Sequence, residues 1–197
     1  MALIQPESEP FERLDEARAA ALAVRLAELM RVYRRPAGAR LDRRTVDELA
    51  DAVANAGIGQ SVAVAGRFRG TGRTRLSSAV LAALEASPLP RAEIPALAEL
   101  FGLERLSALT GAAVPSLRRY AAGERTTPDP VAHRIHFLAR VVAILEGSYN
   151  EFGVRRWFDR PRAKLDGRAP ADLLTGDWDP DDRGPRRVRR LAETLLT

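Results

Sequence analysis

The stretch from Leu103 to Arg125 constrains the fold of this chain most strongly, because two short helical patterns follow one another there with one glycine between them. The first helix is predicted from three leucines at helical spacing: Leu103, Leu106 and Leu109. Gly111 ends this helix, since glycine readily adopts the positive φ that a tight turn between helices requires. The second helix is expected over about 113–122, and Gly123 ends it. The stretch therefore predicts a helix-turn-helix.

The predicted second helix has one apolar face and one basic face. Helical spacing turns three side chains inward: Val114, Leu117 and Tyr120. Ser116, Arg118 and Arg119 then face outward, which is typical of a short helix that enters the major groove of double-stranded DNA. Arginine reads guanine edges and also binds phosphate. The predicted DNA-binding residues lie on this helix and in the loop after it: Pro115, Ser116, Arg118, Arg119, Arg125 and Thr126.

Some of these residues are expected to contact DNA bases, and the others are expected to contact the DNA backbone. Ser116 and Arg118 are the predicted base readers, whereas Arg119 is expected to pack beside Tyr120 and touch phosphate. The loop after the helix is expected to hold the DNA backbone. An ordinary helical hairpin with a solvated arginine face is the alternative interpretation of the same pattern.

The order of residues in this stretch resembles the Xre-type helix-turn-helix, whose recognition segment usually reads G-V-S-x-x-T-L-x-R-W-x-x-G-x-R. The matching places are held by Gly111, Ser116, Leu117, Arg119, Tyr120, Gly123 and Arg125. Ala112 replaces the usual valine, and Ala113 replaces the serine that caps the recognition helix, so the cap is expected to be weaker by about 1 kcal/mol. Pro115 is tolerated near the helix start, because its missing N–H would be unpaired there anyway.

Composition and charge agree with an anionic partner. The chain has a net charge of +5 and a sequence pI near 10.5, which favours nucleic acid first. It has no cysteine, so disulfides, thiolate zinc sites and cysteine nucleophiles are excluded. The N-terminus lacks the apolar core of a signal peptide, and no apolar run is long enough to span a membrane. A cytoplasmic protein without a membrane partner is therefore expected.

Apolar periodicity predicts an all-α protein with at most one short β-strand or hairpin. Helices are expected over 10–35, 41–55, 75–86, 93–101, 130–146, 150–158, 170–174 and 185–196. Only Ser61–Arg69 alternates like a strand. Three segments are predicted: an N-terminal helical extension (1–88) for dimerisation or an extra DNA contact, an Xre-like helix-turn-helix domain (89–147), and a small C-terminal helical domain (148–197).

Other constellations give no positive indication of an enzyme. Residues 66–74 (GRFRGTGRT) miss the second glycine and the lysine of a phosphate-binding loop, so a glycine-rich turn is favoured. The arginines of that region remain a predicted secondary DNA contact: Arg67, Arg69, Arg73 and Arg75. His133 and His136 are too few ligands for a metal site and are expected to flank a buried helix face. No catalytic residue, metal or cofactor is predicted.

A second resemblance covers the C-terminal segment. Its residues are Phe152-Gly153, Trp157-Phe158, Arg160-Pro161, Leu165-Asp166-Gly167, Pro170 and Leu173-Leu174. In this order they resemble the toxin-binding domain of the Xre/MbcA/ParS-like antitoxin family. The resemblance implies a DNA-binding antitoxin that represses its own operon and blocks a RES-domain toxin, which degrades NAD. The predicted partner-binding residues are apolar: Trp157, Phe158, Leu173, Leu174 and Trp178.

Three hypotheses for function follow. The first is a sequence-specific DNA-binding antitoxin and autorepressor that forms a homo-oligomer, in its simplest form a dimer. The second is a stand-alone helix-turn-helix transcription regulator without a toxin, because the first 90 or so residues have no place in the usual compact antitoxin. The third is a protein-only adaptor, against which the exposed arginines Arg118 and Arg119 argue.

Overall fold

A computed structural model of the chain describes residues 9–33, 41–59 and 73–196. It confirms the all-α fold class, since the described residues form α-helices and short 3-10 turns and contain no strand. The helices are α1 (Glu9–Leu29), α2 (Arg43–Asn55), α3 (Arg73–Glu85), α4 (Pro90–Phe101), α5 (Leu103–Thr110), α6 (Val114–Ala122), α7 (Asp129–Leu145), α8 (Glu151–Asp159) and α9 (Arg183–Glu193). The 3-10 turns are Ala163–Leu165 and Ala171–Leu173. The predicted strand Ser61–Arg69 lies outside the described residues.

Helix α7 is the centre of the fold. Its sequence is apolar on nearly every side, and a helix of that kind is stable only when neighbours surround it. Helices α1, α4, α5 and α9 all pack against it. Buried side chains from the three predicted segments belong to one hydrophobic cluster, and the division into three domains stays a prediction.

The N-terminal helices pack on one another and on this central helix. Helix α1 lies mainly against α3 and also against α7, while α2 packs on α3. Asp42 precedes α2, and its carboxylate accepts a hydrogen bond from the backbone N–H of Thr45 at 2.8 Å. This N-cap pairs one of the free N–H groups at the helix start, which fixes where α2 begins.

The first helix ends earlier than predicted. The apolar pattern predicts a helix to about residue 35, but α1 ends at Leu29 and Arg31 has a left-handed φ of +51°. The N–H of Val32 donates to the carbonyl of Ala27, which closes the helix end as a Schellman-type turn does. The turn still buries Met30 and Tyr33, so their apolar character reflects core packing and not helix length.

Two more predicted helices differ in type or position. The segment predicted as a helix over 170–174 is a single 3-10 turn, too short for α-helical hydrogen bonding. The last helix begins at Arg183, two residues before the predicted Pro185, and ends at Glu193. None of the helices in the described ranges combines the length and apolar character needed to cross a membrane.

Two carboxyl groups meet one arginine where α1 packs on the end of α7. Arg25 Nη1 donates to the carbonyl oxygen of Glu146 at 2.5 Å. Burial raises the pKa of Glu28 above its ordinary 4.5; Arg25 opposes this and Glu146 adds to it. Burial also raises the pKa of Glu146, against the effect of Arg25. One arginine therefore does not offset the burial of both carboxylates, and each binds a proton more readily in the folded chain.

Candidate nucleic-acid interface

Helices α5 and α6 form the predicted helix-turn-helix, and Gly111 makes the turn between them. Gly111 has a left-handed φ of +72°, and its N–H donates to the carbonyl of Ser107. The left-handed backbone favours glycine, and a Cβ at this position would lie 3.1 Å from Arg134 Nη1, so the buried arginine would have to shift to accept a side chain. Thr110 is fully buried and its hydroxyl donates to the carbonyl of Leu106 at 2.7 Å, which tightens the end of α5.

Helix α6 begins and ends as its sequence predicts. Ala113 precedes it in an extended conformation and gives no side-chain cap, which agrees with the predicted weak start. Pro115 lies in the first turn of the helix. Gly123 ends the helix with a left-handed φ of +73°. The helix thus has nine residues, which is long enough to present two turns of side chains.

The burial of α6 follows the predicted faces at four positions, whereas Val114, predicted to face inward, is only half-buried. Leu117 is fully buried and Tyr120 is nearly so, which fixes the rotation of the helix about its axis. Arg118 and Arg119 are exposed on the opposite side, and Ser116 is half-buried beside them. Pro115, Arg125 and Thr126 are exposed as well. Leu117 and Tyr120 on one side and Arg118 and Arg119 on the other confirm the orientation, while contact with DNA stays a prediction.

The arginines of this surface are free to bind a ligand. Arg118, Arg119 and Arg125 form no ion pair with any residue in the described ranges. Arg105 offers a contrast, because its guanidinium binds both carboxylate oxygens of Asp159, at 2.6 and 2.9 Å. Helix α6 itself contains no acidic residue to neutralise its own arginines. The outer face of α6 is therefore positively charged and is suited to an anionic ligand.

Two contacts of arginines near the interface are not evident from the sequence, and one of these arginines, Arg91, is absent from the predicted site. The guanidinium of Arg125 lies 5.9 Å from the ring centre of Tyr120, within cation–π distance. Arg91, the second residue of α4, reaches across to the turn at Gly123, so that a Cβ there would lie 2.5 Å from Arg91 Cζ. Arg125 is a predicted DNA-binding residue, but its contact with the Tyr120 ring is not predicted. Arg91 is missed because nothing in the sequence links positions 91 and 123.

The C-terminal segment supports the turn of the helix-turn-helix from behind. Trp178 Nε1 donates to the carbonyl of Leu109 at 2.9 Å. Arg134 is buried and donates from Nη1 to the carbonyl of Thr110 at 3.2 Å and from Nε to the carbonyl of Trp178 at 2.5 Å. Its Nη2 also pairs with Asp177. Two carbonyls at the end of α5, which no helix bond can satisfy, therefore receive donors from elsewhere in the chain.

The structure corrects the predicted partner-binding residues. Trp157, Phe158, Leu174 and Trp178 are buried, so they are not accessible to a partner, and Leu173 is half-buried. Phe158 makes edge-to-face contacts with Phe101 and with Trp157, with ring centres 5.1 and 5.2 Å apart. The contact between Phe158 and Phe101 attaches α8 to the end of α4. The prediction failed because apolar content alone does not distinguish a local core from an exposed anchor.

The predicted secondary DNA contact lies outside what the structure describes. Arg67 and Arg69 are in the undescribed range 60–72, and the side chains of Arg73 and Arg75 are not described either. Contact of these arginines with DNA therefore stays a prediction.

The two histidines have different environments. His133 is exposed, whereas His136 is buried beside Glu93, with His136 Nδ1 and Glu93 Oε1 2.5 Å apart. Its Nε2 lies 2.9 Å from the carbonyl of Glu85, which only accepts, so Nε2 carries the hydrogen of that bond. His136 thereby ties α7 to α3 and α4. Among the described residues no group of three or more His, Cys, Asp or Glu side chains is placed to hold a metal ion.

No protein-family model, curated protein or solved structure matches this chain. The extent of the candidate interface is therefore taken from the structure of this chain alone. It consists of the outer face of α6, the loop after it, and the start of α4 where Arg91 meets Gly123. Its side chains offer hydroxyl and guanidinium donors, and these are the groups that read base edges and bind phosphate.

Proposed function

We propose that this chain is a sequence-specific DNA-binding protein that inserts α6 into the major groove of double-stranded DNA. One observation carries the proposal: burial of Leu117 and Tyr120 fixes the inner face of α6, and the opposite face presents Arg118 and Arg119, which form no ion pair with any described residue. An ordinary helical hairpin with solvated arginines does not require that its helix has a fixed orientation or that its arginines are unpaired. A helix that enters a groove needs both.

The roles of the side chains follow from their positions. Ser116 lies in the first turn of α6 and Arg118 at its middle, and both reach base edges, where arginine forms its two-pronged contact with guanine. Arg119, Arg125 and Thr126 lie at the carboxyl end and in the loop, and they bind phosphate. Base contacts set the preferred sequence, and phosphate contacts set the register on the duplex.

The resemblance to the antitoxin family extends this proposal to an autorepressor in the cytoplasm that binds as a homodimer and blocks a RES-domain toxin. Burial of Trp157, Phe158, Leu174 and Trp178 favours a second candidate, a stand-alone regulator, because it removes the expected toxin contacts from the surface. Co-expression separates the two. An antitoxin restores growth of cells that express a RES-domain toxin, and a stand-alone regulator does not.

Selection from a pool of random duplexes tests DNA binding itself. The chain is expected to enrich one motif over successive rounds and to bind it more weakly as salt is raised. Two copies of the motif separated by about 34 Å along the duplex, one helical turn, are expected if a dimer binds. A pool that stays random after selection would refute sequence-specific binding.

A further inference from the structure

Arg91 has an unusual position for an exposed arginine. It belongs to α4, yet its side chain packs against the turn that ends α6. A Cβ built on Gly123 would lie 2.5 Å from Arg91 Cζ, 2.6 Å from Nε and 2.8 Å from Nη2. Three guanidinium atoms at nearly equal distance mean that the plane of the group faces the glycine. The missing side chain of Gly123 therefore makes the space in which Arg91 lies.

This packing leaves the hydrogen-bonding edge of Arg91 free. The residue is exposed, and it has no ion pair or hydrogen bond from its side chain to any part of the chain that the structure describes. A guanidinium donates through the edges of its plane, and packing on the turn at Gly123 covers a face of the group and not its edges. Contact with backbone on that face reduces the freedom of a long side chain, so less entropy is lost when a ligand binds.

The turn on which Arg91 packs is bordered by two further arginines in the chain. Arg119 is in the last turn of α6, and Arg125 follows Gly123 by two residues and packs near the ring of Tyr120. Two arginines from different parts of the chain, Arg91 and Arg125, thus flank one turn. The planar fork of arginine matches the oxygen atoms of a phosphate group.

We propose that Arg91 and Arg125 form a two-sided phosphate clamp at the carboxyl end of the recognition helix, with a phosphodiester of the DNA backbone as its ligand. This inference rests on the proposed DNA binding by α6. It adds a contact from α4, a helix outside the helix-turn-helix, and it gives Gly123 a role in addition to ending α6. The clamp contributes register and affinity, and it does not contribute to the choice of sequence.

The experiment measures the affinity of the full chain for a selected duplex and for a random duplex as a function of salt. Each phosphate contact contributes about 0.9 to the slope of log affinity against log salt. Arg91→Gln is therefore expected to lower the slope by about 0.9 on both duplexes, so its deficit relative to wild type shrinks by about 3.5-fold between roughly 50 and 200 mM salt. Arg91→Lys keeps the charge and is expected to restore most of the slope.

Arg156→Gln is the matched control. Arg156 is also exposed and free of ion pairs with described residues, but it lies on α8, which packs at the opposite end of α4 from Arg91. Its replacement is expected to leave the slope unchanged. An Arg91→Gln slope equal to wild type, or an equal loss in Arg156→Gln, would overturn the clamp while DNA binding itself stands. A wild-type chain that binds neither duplex would overturn the proposed function, and the clamp with it.

Discussion

Replacement of Arg134 by methionine tests how the C-terminal segment holds the helix-turn-helix. Arg134 is only 7% exposed and donates to the carbonyls of Thr110 and Trp178. A hydrogen bond from a charged donor is worth about 1.5–3 kcal/mol, and the two carbonyls would lose their donor. The pair with Asp177 adds little, because the Asp177 side chain is 98% exposed.

These contributions set the expected size of the effect. Burying the charged guanidinium of Arg134 costs desolvation free energy, and methionine does not have this cost. The saving offsets part of the free energy that is lost with the hydrogen bonds. We therefore expect Arg134→Met to lower the free energy of unfolding by roughly 3 kcal/mol. For a chain of this length, 1 kcal/mol shifts the melting temperature by about 2–4 °C, so the expected decrease is about 6–12 °C.

Arg105→Met is the matched control for this experiment. Arg105 also forms a paired arginine–carboxylate contact, but with Asp159 near the surface, where such pairs contribute about 0–1 kcal/mol. The melting temperature of Arg105→Met, measured by circular dichroism in parallel with that of Arg134→Met, is expected to fall by less than about 4 °C. Equal decreases in the two variants would refute the argument that the buried carbonyls depend on Arg134.

Three further predictions concern single contacts. Trp178→Phe removes the donor to the carbonyl of Leu109 and is expected to lower the free energy of unfolding by about 1–3 kcal/mol in urea titration; an unchanged midpoint would contradict it. Gly111→Ala forces a side chain into a left-handed turn, so a loss of at least about 1 kcal/mol is expected in the same assay, and a more stable variant would show that the turn relaxes. Glu28→Gln is expected to raise the melting temperature at pH 7 by roughly 1–3 °C. The gain should vanish toward pH 4.5, because the raised pKa makes wild-type Glu28 costly only while it is ionised; a gain independent of pH would point to packing.

Local pattern was sufficient to predict the site's scaffold. The spacing of Leu117 and Tyr120 fixed which face of α6 is buried, and Gly111 and Gly123 marked its ends, because each of these signals acts within a few residues. The same is true of most helix boundaries. The end of α1 was misplaced because Tyr33 continues the apolar pattern beyond the last helical hydrogen bond.

Contacts between distant residues could not be predicted from pattern. In the sequence, Arg134 is a charged residue within an apolar helix. Only the fold shows that its side chain donates to the carbonyl of Trp178, 44 positions further along the chain. Arg91 lies against Gly123 for the same reason, since one helix start and one helix end happen to meet. Single-sequence reasoning gives no partner for a charged residue whose contacts are made across the tertiary structure.

Equilibrium binding of the Arg118→Ala variant tests the central claim most directly. Wild type is expected to prefer the duplex enriched by selection over a random duplex of equal length. Arg118→Ala is expected to lose about 1–3 kcal/mol on the enriched duplex, or about 5–150-fold in affinity, and to lose discrimination at one base pair. Arg156→Ala, from an equally exposed position on α8, is expected to bind as wild type does. Undiminished affinity and unchanged base preference in Arg118→Ala would contradict the claim that α6 reads DNA through this face.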